Sequence, residues 1–135
     1  MDMKIGVLGT GMVGEAIASK LVALGHEVMM GSREANNRRA ASWAKQVGTR
    51  TSVGSFADTA RFGELLFNCT NGANSVAALR AADKKNLARK ALIDVANILP
   101  PEARGPKALG EQIQKAFPEL KVVKALNTMN CDNQW

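Results

Sequence analysis

The segment Lys4-Ile5-Gly6-Val7-Leu8-Gly9-Thr10-Gly11-Met12-Val13-Gly14 constrains this chain more than any other. A short apolar run enters glycines at 9, 11 and 14, and Val13, Ile17, Leu21 and Leu24 then recur at helical spacing. Such a strand, turn and helix start cradles a dinucleotide pyrophosphate. Gly9 permits the tight turn, Gly11 lets backbone approach phosphate, and Gly14 lets helix and strand pack closely. The helix start offers its unpaired N–H groups and positive dipole end to the anion. The chain has 12 glycines in 135 residues, so the spacing alone is weak; its place between a strand and a helix gives it weight.

Gly25 stands where a helix ends, and His26 to Met30 reads as a second strand. A site for NAD closes that strand with an acid about 20 residues past the glycines, on the ribose 2′-hydroxyl. Here the strand runs into Gly31-Ser32-Arg33, without an acid. A hydroxyl and a guanidinium at this point suit a 2′-phosphate, which selects NADP. Asn37, Arg38 and Arg39 follow and could close the pocket, and Thr10 could reach the same phosphate. One charge-assisted contact contributes about 1.5–3 kcal/mol, or roughly a 10- to 150-fold preference. Glu34 adjoins Arg33 and opposes it in part.

Further along, a helix is expected over 37–47, a strand over 49–53, and a short helix capped by Ser55 with Phe56 and Ala60 inward. A buried strand over 64–69 leads to the loop Thr70 to Asn74, and a helix spans 75–82. A strand over 90–95 ends in Ala96-Asn97, and the proline-rich stretch 99–106 is irregular. A helix over 109–117 and a strand over 121–125 complete the pattern. Alternating strands and helices argue for an α/β fold: a doubly wound parallel (Rossmann) sheet in three αβα layers. Its six or so strands fit the order 3-2-1-4-5-6. Residues 1–125 form the expected NADP-binding domain and 126–135 a C-terminal tail. Ligands in such sheets bind at the switch point beyond the strand ends. The loops 9–14, 69–74 and 95–97 converge there, so Cys69, Thr70, Asn71, Ala96 and Asn97 join the expected cofactor site.

A formal charge of +6 invites a nucleic-acid reading. The cations are scattered, however, and no aromatics interleave with them as stacking platforms. Steering of an anionic cofactor is the better account. Cys69 and Cys131 have no metal-ligand spacing and build no disulfide framework. No apolar run approaches a membrane span and no signal-peptide pattern precedes the first strand, so a cytoplasmic protein without membrane partners is the expectation. The chain has no Tyr for a proton relay. Its one histidine, His26, falls at a helix-to-strand junction away from the site, and Asp94 lies inside a strand. No catalytic or metal-ligating residue is expected, which fits hydride transfer: the cofactor supplies the reactivity and the protein the positioning.

The same glycine loop, with Leu24 to Arg33, Phe67-Asn68-Cys69-Thr70, Ile93-Asp94-Val95-Ala96-Asn97 and Lys124 to Asn130, resembles the NADPH-dependent coenzyme F420 reductase family. The likeness covers nearly the whole chain. It implies an NADP site at Thr10, Met12, Val13, Ser32 and Arg33, with the nicotinamide facing a deazaflavin ring near the loops after strands four and five. Asn127 to Asn130 would lie on the deazaflavin side. The implied activity is hydride transfer between NADPH and F420 or a flavin-like small-molecule acceptor. In that family further residues build much of the second-substrate cleft and a homodimer contact, whereas Cys131 to Trp135 departs from the usual continuation. An NADP-binding module without full catalysis is therefore the alternative expectation.

Overall fold

The computed structural model describes residues 2–95 and 109–124. The expected irregular stretch 99–106, the site residues Ala96 and Asn97, and the tail 126–135 lie outside the described residues. Six parallel strands, β1 (Lys4–Leu8), β2 (Glu27–Ser32), β3 (Thr51–Ser55), β4 (Leu65–Asn68), β5 (Ala91–Asp94) and β6 (Lys121–Lys124), form one sheet. Their order is β3-β2-β1-β4-β5-β6, as the sequence predicts. The chain reverses its direction of travel between β1 and β4, which opens a crevice at the carboxyl ends of these two strands.

Strand side chains alternate between two cores. On one face Leu8, Leu66 and Leu92 pack with Ala60, Leu79, Ala82 and Leu87 and with Ile113, Phe117 and Leu120. These come from α3 (Phe56–Phe62), α4 (Ser75–Ala82), α5 (Lys84–Leu87) and α6 (Leu109–Ala116), and from the turn after α6. On the other face Ile5, Val7, Val28, Met30 and Phe67 meet α1 (Met12–Ala23) and α2 (Arg38–Val47) through Ile17, Leu21, Ala40 and Trp43. Each fully buried leucine or isoleucine contributes about 1.5–3 kcal/mol of transfer free energy. The Trp43 indole N–H also donates to Ser19 Oγ at 3.1 Å, tying α2 to α1.

Local chemistry sets the element ends. Asn37 caps α2, its Oδ1 accepting from Ala40 N at 3.0 Å. Ser55 and Asp58 form a reciprocal capping box at the start of α3. The strand β3 runs two residues later than the expected 49–53, because Gly54 continues the ladder with Gly31 instead of breaking it. Likewise β2 extends through Gly31 to Ser32. A Cβ on Gly31 would collide with the Thr59 hydroxyl, so glycine there admits α3 directly onto the sheet. His26 is structural, as expected: its Nδ1 accepts from Met3 N at 3.1 Å. Among the described residues no helix is long and apolar enough to cross a membrane.

Candidate functional site

The glycine turn leaves β1 at Gly9, whose φ of +121° lies in the region that favours glycine. Gly9 N donates to Gly31 O at 2.9 Å, which fastens the turn to the end of β2. Across the switch point, Cys69 N donates to Leu8 O at 2.8 Å, which fastens the loop after β4 to β1. A Cβ on Gly9 would meet the Cys69 carbonyl oxygen at 2.6 Å, and one on Gly14 would meet the Gly9 carbonyl oxygen at 2.6 Å. Gly11 differs: a Cβ there would meet nothing within 4 Å. Only open space lies on that side of the turn. Gly11 also begins α1 without a side-chain cap, so the first-turn N–H groups of Met12, Val13 and Gly14 have none. This is the chemistry of an anion cradle.

A cavity of about 610 Å³ opens beside this turn, within the range of small-molecule sites. Of the residues expected there, Gly9, Thr10, Gly11, Ser32, Arg33, Cys69, Thr70 and Asn71 line it. Met12, Val13, Gly14 and Arg38 do not line it. Met12 is exposed, Val13 packs on the core beneath α1, Gly14 is buried against Gly9, and Arg38 is exposed on α2. Asn74, at the end of the expected loop 69–74, also lines it, and the sequence reading missed Phe56, Ala77, Ala78 and Ala81. The recurrence at 74, 77, 78 and 81 marks one face of α4, a signal hidden by the small size of alanine.

At the β2 end Arg33 is exposed and forms no ion pair among the described residues, so its five donors face solvent and cavity. Ser32 is buried and donates its hydroxyl proton to the Glu34 backbone oxygen. Donation to a phosphate requires it to leave that bond. Glu34 and Asn37 share the wall, Asn37 while capping α2.

On the β4 side the wall rests on a buried polar cluster. Asn68 and Ser75 are fully buried, as is Asp94. Asn68 Nδ2 donates to Asp94 Oδ1 at 3.1 Å and to Ser75 Oγ at 3.0 Å. Burial pushes the Cys69 thiol well above its ordinary range, and the nearby Asp94 carboxylate adds to the effect. Raising the thiol in this way favours the protonated form, which is the weaker nucleophile. Among the described residues no group of three or more His, Cys, Asp or Glu could hold a metal ion. The only titratable groups on the described wall are Arg33, Glu34 and Cys69. The described wall thus offers uncapped backbone N–H groups and a free guanidinium to an anionic ligand.

Comparison with known proteins agrees with this geometry. The family model for coenzyme F420-dependent NADP oxidoreductases matches residues 4–98. A crystal structure from Arthrobacter sp. FB24, described as an F420-dependent NADP reductase, is 45% identical with a TM-score of 0.85. The match covers 96% of this chain and 65% of that one, so this chain spans just under two thirds of that protein's length. An imine reductase from Myxococcus stipitatus in complex with NAD+ is 19% identical, with a TM-score of 0.72 over 92% of this chain and 40% of that chain. A 3-hydroxyisobutyrate dehydrogenase from Mycobacterium tuberculosis is 16% identical, with a TM-score of 0.67 over 93% and 40%. These two share the fold. No curated protein matches the chain. The length of the family match, with the 45% identity across 96% of the chain, makes this protein a member of the coenzyme F420-dependent NADP oxidoreductase family.

Proposed function

We propose that this protein binds NADP(H) in the crevice above β1 and β4 and passes hydride between NADPH and a deazaflavin or flavin-like acceptor. One observation carries the reading: Arg33 and Ser32 share a cavity wall with Gly9 and Gly11. The diphosphate then lies on the uncapped start of α1, and the adenosine 2′-phosphate meets the guanidinium. Reduced nicotinamide supplies the hydride when bound. This chain's residues hold and orient it: the glycine turn sets the diphosphate, Arg33 the adenosine end, and the loop 69–74 the opposite half. The described wall offers no carboxylate, histidine or lysine beside that half, only the Cys69 thiol, which suits transfer between two bound rings.

The test is NADPH oxidation followed at its absorbance band with F420, then with a free flavin, added as acceptor. Loss of NADPH with either supports the assignment. Tight NADPH binding without oxidation by any acceptor leaves the second reading, an NADP-binding module without full catalysis.

A further inference from the structure

The polar cluster beneath the loop after β4 can be assigned proton by proton. The backbone N–H of Thr70 can only donate, and it reaches Asn68 Oδ1 at 3.3 Å. On the other side, Asn68 Nδ2 lies 3.1 Å from Asp94 Oδ1 and 3.0 Å from Ser75 Oγ. A carboxylate only accepts, so the amide must turn its NH2 group towards Asp94. Two independent neighbours thus fix one orientation of Asn68, with its carbonyl oxygen towards Thr70.

Thr70 Oγ1 lies 2.7 Å from that carbonyl oxygen. A carbonyl has no proton to give, so the threonine hydroxyl is the donor. It has one proton, and the bond to Asn68 commits it inward. Ser75 Oγ is 2.9 Å from Thr70 Oγ1 and 3.3 Å from Asn71 O. With its own proton bound for Asn68, Thr70 does not donate to Ser75, whose one proton is shared between Thr70 Oγ1 and Asn71 O. Thr70 lines the cavity, and all its hydroxyl oxygen still has to offer is a lone pair.

We infer that Thr70 meets the ligand solely as a hydrogen-bond acceptor, taking a proton from a donor on the nicotinamide half of the dinucleotide: a ribose hydroxyl or the carboxamide N–H. Asn68 and Asp94 are the positioning residues that impose this polarity. The inference rests on the NADP(H) reading above. The half is given by topology: Thr70 follows β4, across the switch point from Ser32 at the end of β2. A phosphate or carboxylate oxygen placed there would face a lone pair and be rejected.

The test compares wild type, Thr70→Val and Thr70→Ser by calorimetric titration with 2′,5′-ADP, NADP+ and its 3-acetylpyridine analogue, which has no carboxamide N–H. Thr70→Val weakens NADP+ by about fivefold to tenfold, the loss of one hydrogen bond. It leaves 2′,5′-ADP, which has no nicotinamide half, within about twofold of wild type, and Thr70→Ser restores NADP+ binding. A penalty that vanishes with the analogue names the carboxamide as donor; a penalty that persists names the ribose. Either supports the assignment. Equal NADP+ affinity in Thr70→Val and wild type overturns it, as does an equal loss of 2′,5′-ADP, which marks a collapsed loop. Wild type that binds neither 2′,5′-ADP nor NADP+ overturns the NADP(H) reading itself, and the inference falls with it.

Discussion

Gly14 lies against Gly9 so closely that a Cβ on Gly14 would stand 2.6 Å from the Gly9 carbonyl oxygen. Gly11, between them in sequence, has open space where its Cβ would go. Gly14 and Gly11 therefore respond differently to alanine. Gly14→Ala forces the helix off the strand and costs on the order of 1–3 kcal/mol, read as a lower urea midpoint. Gly11→Ala stays within about 1 kcal/mol of wild type. It instead fills the space left for phosphate, and NADPH affinity falls by at least about tenfold, or 1.4 kcal/mol. An unchanged affinity in Gly11→Ala would contradict the cradle.

Glu34 shares the cavity wall with Arg33 and forms no ion pair among the described residues. Its charge opposes a 2′-phosphate held by the guanidinium. Glu34→Gln should tighten NADPH by about twofold to fivefold and leave NADH alone. This corresponds to a partly screened exposed charge worth under about 1 kcal/mol. The gain should shrink as salt is added, since exposed charges are screened over roughly 10 Å at 0.1 M. Fluorescence titration at two ionic strengths reads both effects.

The capping box makes a pH prediction. The Asp58 carboxyl is held below its ordinary value of 3.8 by the Ser55 backbone N–H, then the Ser55 hydroxyl, with Arg61 adding to these. A depressed folded value means that the ionised carboxylate stabilises the fold. That contribution is complete above 3.8 and is lost as pH falls through the lowered folded value. Asp58→Ala is thus less stable than wild type at pH 7, and the two unfolding curves converge in acid. A gap that stays constant down to pH 2 would show that the carboxylate charge plays no part.

Cys69 lines the cavity but is held protonated by burial and by Asp94. In a Cys131→Ser background, iodoacetamide at pH 8 should label the folded protein far more slowly than the urea-unfolded one. Saturating NADPH should slow it further. Folded protein that labels as fast as unfolded protein would place the thiol in an open, polar setting.

Much of this was legible in sequence because the signals are local. The apolar run into Gly9, the Ser55 cap and the missing acid at 31–33 each speak within a few residues, and the alternation of strands with helices carries the sheet order that is observed; Arg33 lines the cavity. The strand ends were harder. The expected strands stop at Met30 and Val53, yet Gly31 and Gly54 both sit in the ladder and α3 packs against them, with Thr59 over one and Asp58 over the other. The short α5 and the single turn over Gly72–Asn74 carry too few residues for a period. The alanine wall of α4 looks like generic helix. Least legible was the Asn68–Asp94 bond, which joins residues 26 apart and follows only from the pairing of β4 with β5.

The central claim is that Arg33 reads the 2′-phosphate while the glycine turn holds the diphosphate. Calorimetric titration of wild type and Arg33→Ala with NADPH and with NADH tests it most directly. The account predicts that wild type prefers NADPH by at least about tenfold, the free energy of one charge-assisted contact. Arg33→Ala should abolish that preference with NADH affinity nearly unchanged. No heat with either nucleotide, or an equal loss for both in Arg33→Ala, would contradict it.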